Sequence, residues 1–520
     1  MIYKLVLCIA VIVILWARRI RKKNISQSIK VGQPPSVPIL GHALHLTPDK
    51  LIDSAEAFHS KYGGVVELYA LSQRIYLISD LELIKEVLSK RPKVFRRVRS
   101  FDYGAKLLNL SSGLFNIHGA NEWSRIRKLT SPSLAKHNIV GNVKNALHWS
   151  IVLKDRLLDA GKATNNVVDM KEHAFSYTVH VLIDAVFGRA KLNQEMQDYF
   201  FQVDFIKDIF TNFTFMIESS TFPFPKWLWH LIPYYENIER RAIAADERLT
   251  RFSRQIINER RAELTANPEE KLRTNVIDIL LQTEKDGPGL SSVNGRESIT
   301  EDEIVANVKT FFAGGSDTTS NTIAWVMYYL GIHKDIQSEV RSEVTKLFEI
   351  VQTFQEKSDD ELFEAFSAES LPLTNAVIKE AIRLVSPAPM LFLQLESTTE
   401  AYTLSNGLVL QPEDQVFTGL DNVHWNNDTF PQAKSFQPHR WLTTDQELLK
   451  RYEASFVAFG GGPRVCPGWG FAVMESVVAV STLVYHLDVE LACEPGDVKR
   501  VFAFAAQPDK VPIRLKKRAL

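Results

Sequence analysis

The sequence predicts a mainly helical protein with small β-sheets, an α+β class, and three observations carry that prediction. A capping box, Thr300 with Glu303, opens a helical pattern that continues to about Leu330. A second apolar run bearing Val473, Val477, Val480 and Leu483 follows a glycine-rich loop. Strand-like alternation is confined to short stretches such as residues 65–79. The 520 residues are 45% hydrophobic, enough for a large core, and length alone suggests about three domains. Sixty-one basic residues balance 61 acidic ones, so nothing global points to nucleic acid. Cys8, Cys466 and Cys493 are too few and too scattered for a disulfide framework, which suits a reducing compartment, the cytosol.

Taken in order, residues 2–17 are apolar except for Lys4, and Arg18, Arg19, Arg21, Lys22 and Lys23 follow directly. The run is short for a hydrocarbon core of about 30 Å, but Lys4 can snorkel, so it is expected to be a membrane segment. Positive charge after the apolar run, with no small-residue cleavage site, speaks against a cleaved signal peptide and puts everything after Arg18 on the cytosolic side. Residues 32–41, stiffened by Pro34, Pro35 and Pro38, read as a semi-rigid spacer. Residues 65–79 then suggest a hairpin, and Asp80 is placed to cap a helix carrying Leu83, Ile84, Val87 and Leu88.

Trp123 and Arg127 are four apart, on one helix face, which by itself is compatible with an ordinary exposed basic helix. Residues 221–233 gather Phe222, Phe224, Trp227, Leu228, Trp229 and Leu231 among three prolines. They suit either core packing or a loop at a membrane interface. Inside the long helical pattern, residues 314–320 read GGSDTTS, poor helix material at about 1 kcal/mol per glycine. Either something compensates, or a second N-cap at Ser316 or Asp317 divides the pattern into two helices. Glu380 and Arg383 are three apart on one helix face. Residues 350–371 are acidic and carry no pattern that assigns them a role.

The most telling stretch is residues 455–475, SFVAFGGGPRVCPGWGFAVME. It reads as loop, thiol, helix: Pro467 suits a first helical position, which puts Cys466 at the N-cap with backbone donors and the helix dipole favouring its thiolate. The glycines let backbone approach something flat and bulky, and Arg464 can hold an anion on that object. A phosphate loop would need a Gly-Lys-Ser/Thr ending and a zinc site three or four ligands; neither is present.

With Phe459, Gly460, Gly462, Arg464, Cys466 and Gly468 in this spacing, the stretch closely resembles the haem-binding signature of the cytochrome P-450 family. The resemblance implies that family's fold, with an N-terminal transmembrane helix, residues 1–23 as anchor and basic flank, 24–41 as hinge and 42–520 as one catalytic domain. It implies haem b as cofactor, Cys466 as iron ligand, and Trp123, Arg127, Gly315, Phe459, Gly460, Arg464 and Gly468 around the haem. GGSDTTS resembles the oxygen-activation motif, with Asp317 and Thr318 as the acid–alcohol pair. Glu380, Arg383 and Arg440 match a structural triad. Gln394 departs from the family, standing near the place where many relatives use Arg or His on a propionate.

These matches imply a membrane-anchored monooxygenase inserting one oxygen atom of O2 into an apolar small molecule: a fatty acid, sterol, terpenoid or xenobiotic. No Gly-x-Gly-x-x-Gly opens a strand–helix unit, so electrons come from a partner. The resemblance implies an NADPH-dependent diflavin reductase in the endoplasmic reticulum membrane, with a cytochrome b-type donor as a second candidate. A haem protein without turnover and a haem-thiolate isomerase or dehydratase are the competing classes, and the Asp317–Thr318 pair argues against both.

Overall fold

The computed structural model describes residues 29–519, except 30, 39, 48, 72, 188–202, 222–225, 267–274, 285–297, 351–355, 503 and 504. The expected membrane segment and its basic flank, and Phe222 and Phe224, lie outside the described residues. The rest is helical with small sheets, as the patterning requires.

Alternation at residues 65–79 forms the hairpin of β1 (Val65–Ala70) and β2 (Gln73–Ile78), antiparallel with Val65 opposite Ile78. The Asp80 carboxylate accepts the Leu83 N–H at 2.9 Å and opens α1 (Leu81–Ser89), whose Leu83, Ile84, Val87 and Leu88 are buried. β3 (Phe95–Arg97), β4 (Met390–Leu395) and β5 (Gln415–Gly419) complete a sheet of order β1-β2-β5-β4-β3, in which β2 and β5 alone run parallel. The proline-rich stretch is tied to this sheet rather than standing free. Gly32 donates to Val65 O at 3.0 Å and accepts from Glu67 N at 2.8 Å, because its backbone completes the open edge of β1.

The helical body includes α2 (Ala120–Thr130), α3 (Met170–Phe187), α4 (Val203–Thr221), α5 (Pro233–Ala266), α6 (Glu301–Ile332), α7 (Pro372–Leu384) and α8 (Trp469–His486). α6 is the axis of the core, packed along α3, α7 and α8. Its capping box forms as expected: Thr300 Oγ1 accepts the Glu303 N–H at 3.3 Å and Glu303 Oε2 accepts the Thr300 N–H at 2.8 Å. At 32 residues it is about 48 Å long, and it runs unbroken through residues 314–320. The two-helix alternative is therefore wrong. The Ser316 and Thr318 hydroxyls donate back to the carbonyls of Phe312 and Gly314, both at 2.6 Å, and the Asp317 carboxylate accepts from Asn321 at 3.0 Å. Tertiary burial compensates the weak propensity: Ser316, Asp317, Thr319 and Ser320 are all buried, and Thr178 of α3 donates to Ser316 O at 3.1 Å.

Glu380 and Arg383 of α7 are fully buried with Arg440 beside them. The Glu380 carboxylate accepts from Arg383 Nε and Nη2 at 2.8 Å each, Arg440 Nε at 3.0 Å, Trp441 Nε1 at 3.0 Å and Gln437 N at 3.0 Å. Arg383 Nη1 caps the carbonyls of His424 and Ala433 at 2.6 Å each, joining α7 to the loops before α8. Residues 350–371, unreadable in the sequence, contain a short helix, Asp359–Ala365, opened by a Ser358–Glu361 capping box. Trp229 is wholly buried, stacked on Tyr235 at 4.4 Å, so core packing is the correct reading for it.

Candidate active site

A cavity of about 1050 Å³ lies between α6, the residues leading into α8, α2 and the α4–α5 pair. Cys466 lines it, its side chain exposed to that space though deep in the fold. The helix behind it begins at Trp469 with Gly468 as N-cap, so Cys466 stands two residues ahead of the cap and not on it. Pro467 and Gly468 form a turn instead of the first helical turn, and Cys466 N donates back to Phe459 O at 2.9 Å. The effect expected of an N-cap survives, because the amides of Gly468 and Trp469 both reach the sulfur. Burial nevertheless dominates and raises the thiol, with Gly468, Arg127 and Trp469 pulling the other way. A thiolate here calls for a further positive partner, such as a metal ion.

The loop is shaped to admit a flat group. Gly460 and Gly462 have φ of +75° and +62°; a Cβ at Gly462 would strike the Leu88 backbone, whereas one at Gly460 or Gly468 would meet nothing within 4 Å. Phe459 lines the cavity and stacks on Trp469 at 4.8 Å.

Arginines concentrate at one rim. The Arg464 guanidinium lies 4.9 Å over the Trp123 ring and donates to Ile117 O, while its buried Nε has no partner. Arg127, one helical turn beyond Trp123 on α2, also lines the cavity. Sequence reasoning missed two more, Arg91 and Arg97. Arg97, on β3, donates to Asn116 Oδ1 at 2.7 Å and to Phe115 O; Arg91 Nε is buried and unpartnered. Burial, then mutual repulsion, pushes Arg464 down to about 9 and Arg97 well below the usual arginine range; burial alone takes Arg91 to about 10. The orphaned Nε atoms and crowded cations fit a group with two carboxylates at this rim, as a haem's propionates would supply. Gln394 is not part of the rim: its Oε1 accepts the Arg99 N–H at 2.8 Å, and Arg97, on the strand paired with β4, borders the cavity instead. The one available signal for Arg97 was the arginine run before residue 100, RRVR, in which strand alternation puts Arg96 and Arg97 on opposite faces of β3.

On α6 the gap is at Gly314, where a Cβ would meet nothing within 4 Å. Gly315 also borders the cavity, but a Cβ there would touch Leu182 of α3 at 2.9 Å, so it serves helix packing as well. Thr318 lines the cavity, whereas Asp317 is buried behind it, its carboxyl pushed up to about 6 by desolvation against the Asn321 bond.

The model of the family described as Cytochrome P450 matches residues 31–512. The chain belongs to the cytochrome P450 family. This P450 is 25% identical to premnaspirodiene oxygenase of Hyoscyamus muticus, covering 92% of this chain and 90% of that protein. It is 26% identical to sugiol synthase of Salvia miltiorrhiza over 93% of each chain. It is 24% identical to cytochrome P450 3A31 of Mesocricetus auratus, covering 97% and 94%. Membership brings with it a haem iron, a redox partner and monooxygenase chemistry on apolar substrates. The cavity lining, rich in Phe, Leu and Ile, is of that character.

Proposed function

We propose that this P450 is an endoplasmic reticulum monooxygenase that binds haem b through Cys466 and oxidises an apolar substrate of terpenoid or steroid size. The observation that carries it is one cavity bordered by the Cys466 side chain, by the Gly314 gap of α6 and by a rim of destabilised arginines. Arg464, Arg127, Arg97 and Arg91 would hold the two propionates, and Trp123 keeps Arg464 in place by stacking under it. Phe459, Gly460 and Gly468 let the loop lie against the ring, and Gly315 sets how closely α6 approaches α3. The bound haem supplies activation of dioxygen and transfer of one oxygen atom to a C–H bond.

The protein's own contribution is to position and deliver protons. Thr318 offers a hydroxyl on the cavity wall, already oriented because it donates to Gly314 O. Asp317, pushed up to about 6 by burial, exchanges protons more readily near neutral pH than an ordinary carboxyl and is the proposed proton source for Thr318. The apolar walls of α4 and α6 exclude water from the substrate.

Residues 1–23 are the single-pass anchor, 24–41 the hinge and 42–520 the catalytic domain on the cytosolic side. Electrons come from an NADPH-dependent diflavin reductase in the same membrane, with a cytochrome b-type donor as the alternative. Terpenoids are favoured because the relatives include premnaspirodiene oxygenase and 5-epiaristolochene 1,3-dihydroxylase. The test is the carbon monoxide spectrum of the reduced protein. The native chain is expected to show the red-shifted Soret band of a thiolate-ligated haem, and Cys466→Ala to abolish it; a variant that keeps the band disproves the ligand assignment.

A further inference from the structure

We infer that Asn212, on the inner face of α4, is a specificity-determining residue that hydrogen-bonds a hydroxyl group on an otherwise apolar substrate. The inference rests on the monooxygenase reading of the same cavity. Asn212 lines the cavity, is only 7% exposed, and its Oδ1 has no hydrogen-bond partner. Its cavity neighbours on α4 are Ile209, Phe213 and Met216. An amide left unpaired among such side chains is costly, because its desolvation is not repaid, and a ligand oxygen would repay it.

The other polar groups nearby are already committed. Lys309 of α6 spends its three N–H bonds on Asp246 Oδ1 at 2.7 Å, Leu108 O at 2.9 Å and Thr250 Oγ1 at 3.1 Å. Thr310 donates to Ala306 O at 2.7 Å and Ser220 to Ile217 O at 2.8 Å. A hydroxyl suits the amide best, since it can donate to the carbonyl oxygen or accept from the NH2 whichever way the amide is turned.

The position of Asn212 also sets the end of the cavity at which the hydroxyl is held. α4 and α5 run antiparallel, fixed by Arg248 Nε on Asp208 at 2.8 Å and Tyr234 on Glu218 at 3.3 Å, so Asn212 and Asp246 are within about one helical turn of each other along the pair. Asp246 is bonded to Lys309, which precedes Thr318 by nine residues on α6, or about 13 Å of helix. The hydroxyl is then held toward the Lys309 end of α6, away from Thr318, so the substrate has to extend along the helix, as a sesquiterpenoid, diterpenoid or steroid skeleton can.

The experiment compares the haem-loaded full-length protein with its Asn212→Leu and Asn212→Ser variants. Binding is measured by equilibrium dialysis with two matched pairs, farnesol against farnesene and cholesterol against 5-cholestene. The native protein is expected to prefer the alcohol of at least one pair by about tenfold, the worth of one hydrogen bond. Asn212→Leu is expected to erase that preference without weakening hydrocarbon binding, and to melt no lower than the native protein, because an unsatisfied amide is removed. Asn212→Ser is expected to keep part of the preference, and it decides the question alone if the Leu variant does not fold. No alcohol preference in the native protein, an unchanged preference in the variants, or a lowered melting temperature in Asn212→Leu overturns the inference. The carbon monoxide spectrum separates the two levels: a native protein without the thiolate band sinks the monooxygenase reading, whereas an intact band with unchanged preferences sinks only the role of Asn212.

Discussion

Thr318 presents a hydroxyl to the cavity while its own proton is engaged by Gly314 O at 2.6 Å. Its lone pairs are therefore free to accept from a donor on the substrate side, while Asp317, the preceding residue, holds a carboxyl near 6 buried against Asn321. Thr318→Ala removes the hydroxyl and one methyl from a helix that tertiary packing holds, so haem content, fold and substrate affinity are expected to stay as they are. The damage is expected in coupling. With a reductase and NADPH supplied, NADPH consumption continues while product per NADPH falls several-fold and hydrogen peroxide appears in its place. Peroxide and product are measured together, and unchanged coupling removes Thr318 from the proton path. Loss of an N-cap would instead cost about 1 kcal/mol of stability, but α6 has no cap at this point.

At the scale of elements, α8 carries an acid that no reaction step uses. Glu475 is fully buried, neither carboxylate oxygen has a hydrogen-bond partner, and burial raises it well above the usual carboxylate range. Tyr177 of α3, also raised by burial, faces it, its hydroxyl donating to the Glu475 carbonyl at 3.1 Å. Because the folded value is above the unfolded 4.5, the stability linked to this group is intact below about pH 4.5 and is lost as pH rises toward the folded value, at no more than about 1.4 kcal/mol per pH unit. Glu475→Gln cannot ionise. Its melting temperature relative to the native protein is expected to climb as pH rises above about 4.5, and a pH-independent difference contradicts the assignment. The elements themselves were legible in the sequence wherever a local rule fixed them, as with the Thr300–Glu303 box, the Asp80 cap and the 65–79 hairpin. Local rules failed where tertiary contacts outweighed them. Burial against α3 carried α6 through GGSDTTS, and a turn at Pro467 and Gly468 moved the start of α8 past Cys466. The rim arginines were partly legible: Arg464 and Arg127 stand in motifs, but Arg97 is placed by β3, which pairs with β4 from almost 300 residues away, and Arg91 stands in no motif.

For the whole molecule, the proposed attachment to a membrane is constrained by what the described residues expose. Among them, only the segment Gly462–His486 is long and apolar enough to cross a bilayer, and it is mostly buried as α8 at the centre of the core, with Val477, Val478, Val480 and Leu483 inaccessible. It is not available to lipid. The anchor proposed above, residues 2–17 with the five cations after them, is thus not duplicated by α8, and the exposed Leu231, Ile232 and Tyr234 at the start of α5 are proposed as a secondary contact. Trp229, which the sequence offered as an interfacial anchor, contributes none, being sealed under Tyr235. Since the sheet already engages the chain at Gly32, deleting residues 1–23 is expected to leave a folded protein with full haem content and an unaltered carbon monoxide spectrum. Membrane association is expected to drop from near-complete to a minor, salt-resistant fraction in a flotation assay, the remainder reflecting the apolar residues of α5. Replacing Leu231 and Ile232 with serine in the truncated protein is expected to abolish that fraction. Loss of haem on truncation would place residues 1–23 in the folding core, and undiminished flotation would transfer the anchor to the catalytic body.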